Sequence, residues 1–304
     1  MNFWKSLNKP IIGLAPMDGV TDFPMREVYS KIAKPDVLFT EFVSAEGLLK
    51  NSERLLKTLH FTDIERPIVA QLFGQTPSAF YEATKLLVFL KFDGIDINMG
   101  CPARKVLSKM AGGALIGNYD MSEKIINSCL KAANHIPVSV KTRISNTNWY
   151  KFLSGFDLSA VCLHGRYLKQ GLSGDVDWIE VGKAALILKK NDLIVLGNGG
   201  IKSLSDAREK CSNYFLDGIL IGRQALGNPW LFIDSSPSKK EVLDAIINHA
   251  ELAWSFYGER GYPMAIKHFG WYSKGFDKAK ELRLKLIKTR TLDETKEVIR
   301  SFCD

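Results

Sequence analysis

The feature that most constrains this chain is a recurrence. Eight short, apolar, β-branched-rich runs occupy residues 10–17, 37–43, 67–73, 94–99, 137–144, 160–164, 193–198 and 218–222, each bounded by turn or capping residues. Most are continuously hydrophobic rather than alternating, the pattern of parallel strands covered on both faces. Helical patterns lie between most of them, for example at 77–91, 122–134 and 205–211. Thr76 before Pro77, Ser122 before Glu123 and Ser203 before Leu204 are suitable helix N-caps. Repeated strand-then-helix units predict an α/β fold, a closed (β/α)8 TIM barrel. An open dinucleotide-binding sheet would instead place G-x-G-x-x-G after the first strand, where this chain reads Ala15-Pro16-Met17-Asp18-Gly19. One unit is irregular, because between Arg143 and Ala160 there is room only for a stunted helix around 150–153.

After Phe232 the pattern changes. A break at Ser235-Ser236-Pro237-Ser238 precedes amphipathic helical sequence, including 240–256 and 293–302. The expected organisation is a barrel over 1–235 and a small C-terminal all-helical domain over 236–304. The net charge is 41 − 33 = +8, of which 13 − 10 = +3 lies from Ser236 onward. A basic surplus spread over both parts suits an acidic partner spanning both, with nucleic acid the commonest kind. Charge alone describes a protein with surplus lysines equally well.

Five cysteines, Cys101, Cys129, Cys162, Cys211 and Cys303, form no C-x-x-C pair, so a disulfide framework is not expected. The five histidines show neither H-x-H nor H-E-x-x-H spacing, so no metal site is expected. Residues 1–9 lack the apolar core of a signal peptide, and no uncharged apolar run approaches the ~18–20 residues of a membrane span. The expectation is a soluble, cytoplasmic, monomeric protein.

Active sites of such barrels form at the C-terminal ends of the strands. Those ends carry Met17, Glu41, Gln71, Asn98 with Cys101, Lys141 with Arg143, His164, Asn198 with Gly199, and Gly222 with Arg223. Asn198-Gly199-Gly200 and Gly222-Arg223, after the last two strands, fit a phosphate site. There glycines let backbone N–H groups approach and Arg223 adds charge. Tight turns are the plainer use of the same glycines. Lys141 ends a buried strand, where its charge calls for an anionic partner such as the N1–C2 edge of a reduced flavin. A lysine reaching the rim and a Schiff-base lysine are the alternatives. Cys101, lifted above the barrel mouth by Gly100 and Pro102, is suited to act as a general acid, since a thiol of pKa ~8.5 is mostly protonated at neutral pH. His164 fits a flavin or substrate contact, or else a satisfied core histidine. Gln71 could meet a flavin pyrimidine edge, and Glu41 could be structural.

Together these residues resemble the tRNA-dihydrouridine synthase family. The stretches that carry the resemblance run from Ala15-Pro16-Met17-Asp18-Gly19-Val20-Thr21-Asp22 through Thr40-Glu41-Phe42-Val43-Ser44-Ala45 and Gln71-Leu72-Phe73-Gly74. Most specific is Asp96-Ile97-Asn98-Met99-Gly100-Cys101-Pro102-Ala103, followed by Ala111-Gly112-Gly113-Ala114-Leu115. Val140-Lys141-Thr142-Arg143, His164-Gly165-Arg166, Gly171-Leu172-Ser173-Gly174, Gly197-Asn198-Gly199 and Ile221-Gly222-Arg223 complete it, with a weaker continuation at Lys267-His268 and Trp271-Tyr272. The resemblance implies an FMN enzyme that uses NADPH to saturate the C5=C6 bond of a tRNA uracil. On that resemblance, hydride would go to C6 and Cys101 would supply the proton to C5. It implies that Pro16, Met17, Gln71, Lys141, His164, Asn198, Gly199, Gly200, Gly222 and Arg223 hold FMN, and that Asn98 and Arg143 lie near the uracil. The target nucleotide must then leave its stack to reach a deep mouth, and the helical tail would grip folded RNA by shape and phosphate contacts. Lys267, Trp271 and Lys274 have one-face helical spacing and form a candidate basic-aromatic contact, although Trp271 equally suits packing between the two parts. The chain departs from the family pattern in the short segment after Arg143 and in Gly200, where an acidic residue is frequent.

Two rivals remain at this level. An FMN barrel acting on a free pyrimidine would not bind bulk tRNA, and a non-catalytic RNA-binding barrel would be colourless.

Overall fold

The computed structural model describes residues 2–50 and 53–303. Nine strands form the sheet: β1 (Ile11–Leu14), β2 (Leu38–Phe39), β3 (Val43–Ser44), β4 (Ile68–Phe73), β5 (Gly94–Met99), β6 (Val138–Arg143), β7 (Ala160–His164), β8 (Ile194–Asn198) and β9 (Gly218–Ile221). Every pairing is parallel, in the order β1-β9-β8-β7-β6-β5-β4-β2, with β3 also on β4. The ring closes between β1 and the run leading into β2, where Asp36 N–H donates to Ile12 O at 2.9 Å and Leu14 N–H to Val37 O at 3.1 Å. The barrel expected from the eight runs is therefore present. The second run differs from expectation. It splits into β2 and β3, because Thr40 Oγ1 accepts the Gln71 N–H at 3.2 Å and takes a backbone carbonyl's place in the ladder.

Around the barrel lie α1 (Phe23–Ala33), α2 (Ala45–Leu48), α3 (Glu53–Thr58), α4 (Pro77–Phe89), α5 (Arg104–Leu107), α6 (Tyr119–Ala133), α7 (Thr147–Ser154), α8 (Trp178–Leu188) and α9 (Leu204–Asn213). Helix α9 starts as read, with Ser203 Oγ accepting the Asp206 N–H at 3.0 Å. Helix α4 follows Thr76, whose side chain makes no capping bond. Helix α6 begins earlier than expected. Asn118 is its cap, while Ser122 is buried and donates to Leu115 O at 2.9 Å. The stunted helix is the eight-residue α7, capped by Asn146 Oδ1 on Trp149 N–H at 3.1 Å.

Period-two alternation along the strands sorts the side chains. On β1, Ile12 and Leu14 face the helices, whereas Ile11 and then Ala15 face the barrel interior with Val69, Ala160, Ile194 and Leu220. Phe3 and Trp4 sit beneath that inner cluster, stacked at 4.7 Å, with Trp4 against Phe39 at 6.3 Å. Apolar interior positions thus fill the floor. Toward the C-terminal ends the same inward register delivers Gln71, Asp96, Asn98, Lys141, His164 and Asn198. Burying polar groups there is tolerable only where partners or a ligand satisfy them.

Four helices follow: α10 (Lys239–Gly261), α11 (Ile266–Tyr272), α12 (Ala279–Leu286) and α13 (Leu292–Arg300). Ser238 and Glu241 form a capping box at the start of α10. Helix α10 packs on α1, with the Phe23 and Phe256 rings 4.9 Å apart and Tyr257 Oη donating to Asp22 Oδ2 at 2.8 Å. Gly258, at φ +69°, interrupts α10 near its end. Among the described residues no helix is long and apolar enough to cross a membrane.

Candidate active site

A cavity of about 680 Å³ opens at the C-terminal end of the barrel. Of the residues expected there, Pro16, Met17, Gln71, Asn98, Cys101, Lys141, Arg143, His164, Asn198, Gly199, Gly200, Gly222 and Arg223 all line it. Lys267, Trp271 and Lys274 do not.

The inner wall is a chain of oriented amides. Asp96 is 1% exposed and accepts from Ser139 Oγ at 2.6 Å and from Gln71 Nε2 at 2.7 Å. That bond leaves Gln71 Oε1 to accept from Asn98 Nδ2 at 2.9 Å, so Asn98 Oδ1 turns outward and accepts the N–H groups of Gly100 at 3.1 Å and Cys101 at 3.0 Å. A buried carboxylate thereby fixes the orientation of two amides and the start of the Cys101 loop. Burial pushes the Asp96 carboxyl up to about 6. Burial likewise raises the half-buried Cys101 thiol above the ordinary thiol range, which keeps its proton on.

Across the cavity, Lys141 Nζ donates to Asn198 Oδ1 at 3.0 Å, and Asn198 Nδ2 donates to Leu220 O at 2.7 Å. Lys141, Arg143, Arg166 and Arg223 surround His164. Its burial, reinforced by those cations, pulls the imidazole down to about 2, so the ring is neutral. His164 Nδ1 is buried with no hydrogen-bond partner among the described residues. Lys141, Arg143 and Arg166 bond to the Asn198 amide and to backbone carbonyls rather than to carboxylates. Gly199, at φ +116°, lies so close to His164 and Arg166 that a Cβ there would stand 3.5 Å from His164 Nε2 and from Arg166 Nη1. A cationic wall, an unsatisfied buried nitrogen and a glycine backbone are the features that suit an anion at this end of the cavity.

Arg143 lines the cavity and also ties two loops together. Its Nε donates to Gly100 O and its Nη1 to Gly171 O, both at 2.7 Å, so it ties the Cys101 loop to the loop after β7. Glu41 does not line the cavity. It accepts the Gly19 N–H, and burial, then the neighbouring Asp22 charge, raise it to about 7. Lys274 lies beyond the end of α11, and its Nζ donates to Leu226 O at 2.9 Å. The backbone of Trp271 seats against Gly227, where a Cβ would approach Trp271 C to 2.2 Å. The Lys274 side chain and the Trp271 backbone thus both touch the loop after β9, while the Trp271 side chain is half-buried. Lys267 is exposed and lies beside Gly19.

Arg166 and Leu172 line the cavity without having been assigned to it. Counting two residues on from His164 would have pointed to Arg166, and two back from Asn98 to Asp96. Leu172, on a glycine-flanked loop, carries no such signal.

The chain matches the family described as dihydrouridine synthase (Dus) over residues 13–303. It is 34% identical to a probable tRNA-dihydrouridine synthase of Staphylococcus epidermidis, over 99% of this chain and 96% of the relative. It is 33% identical to probable tRNA-dihydrouridine synthase 2 of Bacillus subtilis, with the same two coverages of 99% and 96%. Among solved structures, the old yellow enzyme homologue from Zymomonas mobilis superposes with a TM-score of 0.54 at 14% identity, over 77% of this chain and 91% of that one. Morphinone reductase does so at 0.51 and 10%, over 78% and 92%. These two share the barrel fold. With the barrel, the Cys101 loop and the matched sequence in place, the chain belongs to the dihydrouridine synthase family.

Proposed function

We propose that this protein is a tRNA-dihydrouridine synthase that binds FMN, takes reducing equivalents from NADPH and uses Cys101 as the proton donor to C5 of the target uracil. The observation that carries this reading is the placement of a protonated thiol on the same cavity that ends in an anion cradle. The residues fit FMN. The cradle of His164, Arg166, Arg223, Gly199 and Gly200 suits a phosphate, Lys141 suits an electron-rich ring edge, and the volume falls within the ~300–1,000 Å³ of small-molecule pockets. When bound and reduced, FMN supplies the hydride equivalent that saturates the C5=C6 bond.

The chain's own residues do the rest. Cys101 holds its proton at Sγ until negative charge develops at C5, then delivers it as a general acid. Asn98 and Arg143 fix the loop that carries the thiol. Lys141 provides a positive charge on the cavity wall, and the neutral His164 can offer a hydrogen bond without adding a fifth cation. The barrel, residues 1–235, acts as the catalytic part and residues 236–304 as the RNA-gripping part. Lys267, exposed beside the Gly19 turn, is a tail residue open to a backbone phosphate.

The test is an absorption spectrum of the purified protein followed by anaerobic NADPH titration and a dihydrouridine assay on unmodified tRNA. A flavin band that bleaches, with dihydrouridine formed, supports the reading. Colourless protein that FMN cannot reconstitute overturns it.

A further inference from the structure

Outside the cavity, three ligand-type side chains converge where the tail meets the barrel. Asp22 caps α1 at the end of the loop that carries Met17, His249 lies on α10, and His268 lies on α11. All three are buried, with exposures of 6%, 0% and 1%, and their ligand atoms lie within 4.8 Å of one another. The two imidazole rings are 4.7 Å apart, and Nε2 of each is buried without a hydrogen-bond partner among the described residues. Two adjacent histidines beside a buried carboxylate, each with an unsatisfied ring nitrogen, leave room in their hydrogen-bonding for a partner that protein groups do not provide.

We propose that Asp22, His249 and His268 bind a zinc ion that staples α10 and α11 to the β1–α1 loop. The donor set, two imidazole nitrogens and one carboxylate oxygen, suits Zn²⁺, with water in a fourth position. Ligand distances of ~2.0–2.2 Å place tetrahedral ligand atoms roughly 3.3–3.6 Å apart, so a pair at the 4.8 Å limit must draw in by roughly 1.2–1.5 Å. The supporting groups are in place. Tyr272 Oη lies 3.3 Å from His249 Nδ1, positioned to accept its N–H and leave the Nε2 lone pair for metal. Met25 N–H at 3.0 Å and Tyr257 Oη at 2.8 Å hold the two Asp22 oxygens. The ligands come from positions 22, 249 and 268, which is why spacing rules applied to the sequence do not find them. The staple is independent of the redox reading, since it concerns how the tail is held and not what the cavity does.

The experiment is metal analysis by mass spectrometry on the full-length protein purified from zinc-supplemented medium, then Co²⁺ substitution of the chelated protein. Stoichiometric zinc that survives dialysis, and Co²⁺ absorption typical of tetrahedral nitrogen and oxygen ligands, is the expected result. Tyr272→Phe, which leaves the ligands intact, should weaken Zn²⁺ by about 10- to 100-fold. The double variant His249→Gln/His268→Gln should lose the metal. Wild type without stoichiometric metal after zinc titration overturns the proposal, as does a Co²⁺–thiolate charge-transfer band. So does a double variant that keeps its zinc. Should the double variant fail to fold, the wild-type and Tyr272→Phe measurements decide.

Discussion

Asn98 holds Cys101 in place through its amide oxygen, which accepts the Cys101 N–H at 3.0 Å, while its amide nitrogen donates to Gln71 at 2.9 Å. The thiol is therefore positioned through the backbone by a side chain whose orientation is set two residues deeper, at Asp96. Removing the thiol and disturbing its support should have separable effects. Cys101→Ala should keep FMN and its bleaching by NADPH but lower dihydrouridine formation by roughly 10²–10⁴-fold, the range for a general acid. Single-turnover assays with pre-reduced enzyme check this, and unchanged turnover would remove Cys101 from the mechanism. Because burial raises the thiol, wild-type turnover should persist into alkaline pH and fall only as the thiol loses its proton.

Asp96 supplies a pH-dependent stability term. Its native carboxyl is pushed up from an ordinary 3.8 to about 6, chiefly by burial, so the native state holds a proton that the unfolded chain releases. The associated stability is complete below the unfolded value and is lost as pH rises through about 6. Asp96→Asn lacks this term. Between pH ~4 and pH ~7 the stability difference should shift by about 1–3 kcal/mol in favour of the variant, read by urea unfolding of both proteins at each pH. A difference that does not change with pH would rule the term out.

Arg143 joins two loops with one guanidinium, so a lysine cannot replace it. Arg143→Lys should retain FMN yet lose about 10²-fold in turnover, through misplacement of the Cys101 loop. Hydrogen exchange of residues 168–174 should quicken in the same variant. Exchange at the wild-type rate would show that the clamp is dispensable.

Gly199 sits at φ +116° under His164 and Arg166. Gly199→Ala should strain the turn by about 1–3 kcal/mol and crowd the cradle. The expected outcome is protein that folds with a lowered Tm and fails to retain FMN on gel filtration. Full flavin retention would place the phosphate elsewhere.

The seven runs that became continuous strands were legible because strands covered on both faces are hydrophobic throughout, a property of local composition. The rim was legible for a related reason. A barrel presents the ends of its strands on one face, so Gln71, Asn98, Lys141, His164 and Asn198 could be placed without knowing any distance. Asn118 and Ser122 are both competent N-caps for α6, and only the fold separates them, by turning the Ser122 hydroxyl to the Leu115 carbonyl and leaving Asn118 to cap.

By itself, then, the sequence determined the barrel, the ring of polar residues at its mouth and the Cys101 loop, because each follows from a period or a motif within a few residues. Tertiary structure alone decided that Arg143 clamps loops, that Lys274 caps Leu226, that Phe3 and Trp4 close the floor, and that Asp22, His249 and His268 meet. Those relationships join segments separated by tens to hundreds of residues, and a side chain's donors and charge acquire a direction only when the chain brings a partner within hydrogen-bonding distance.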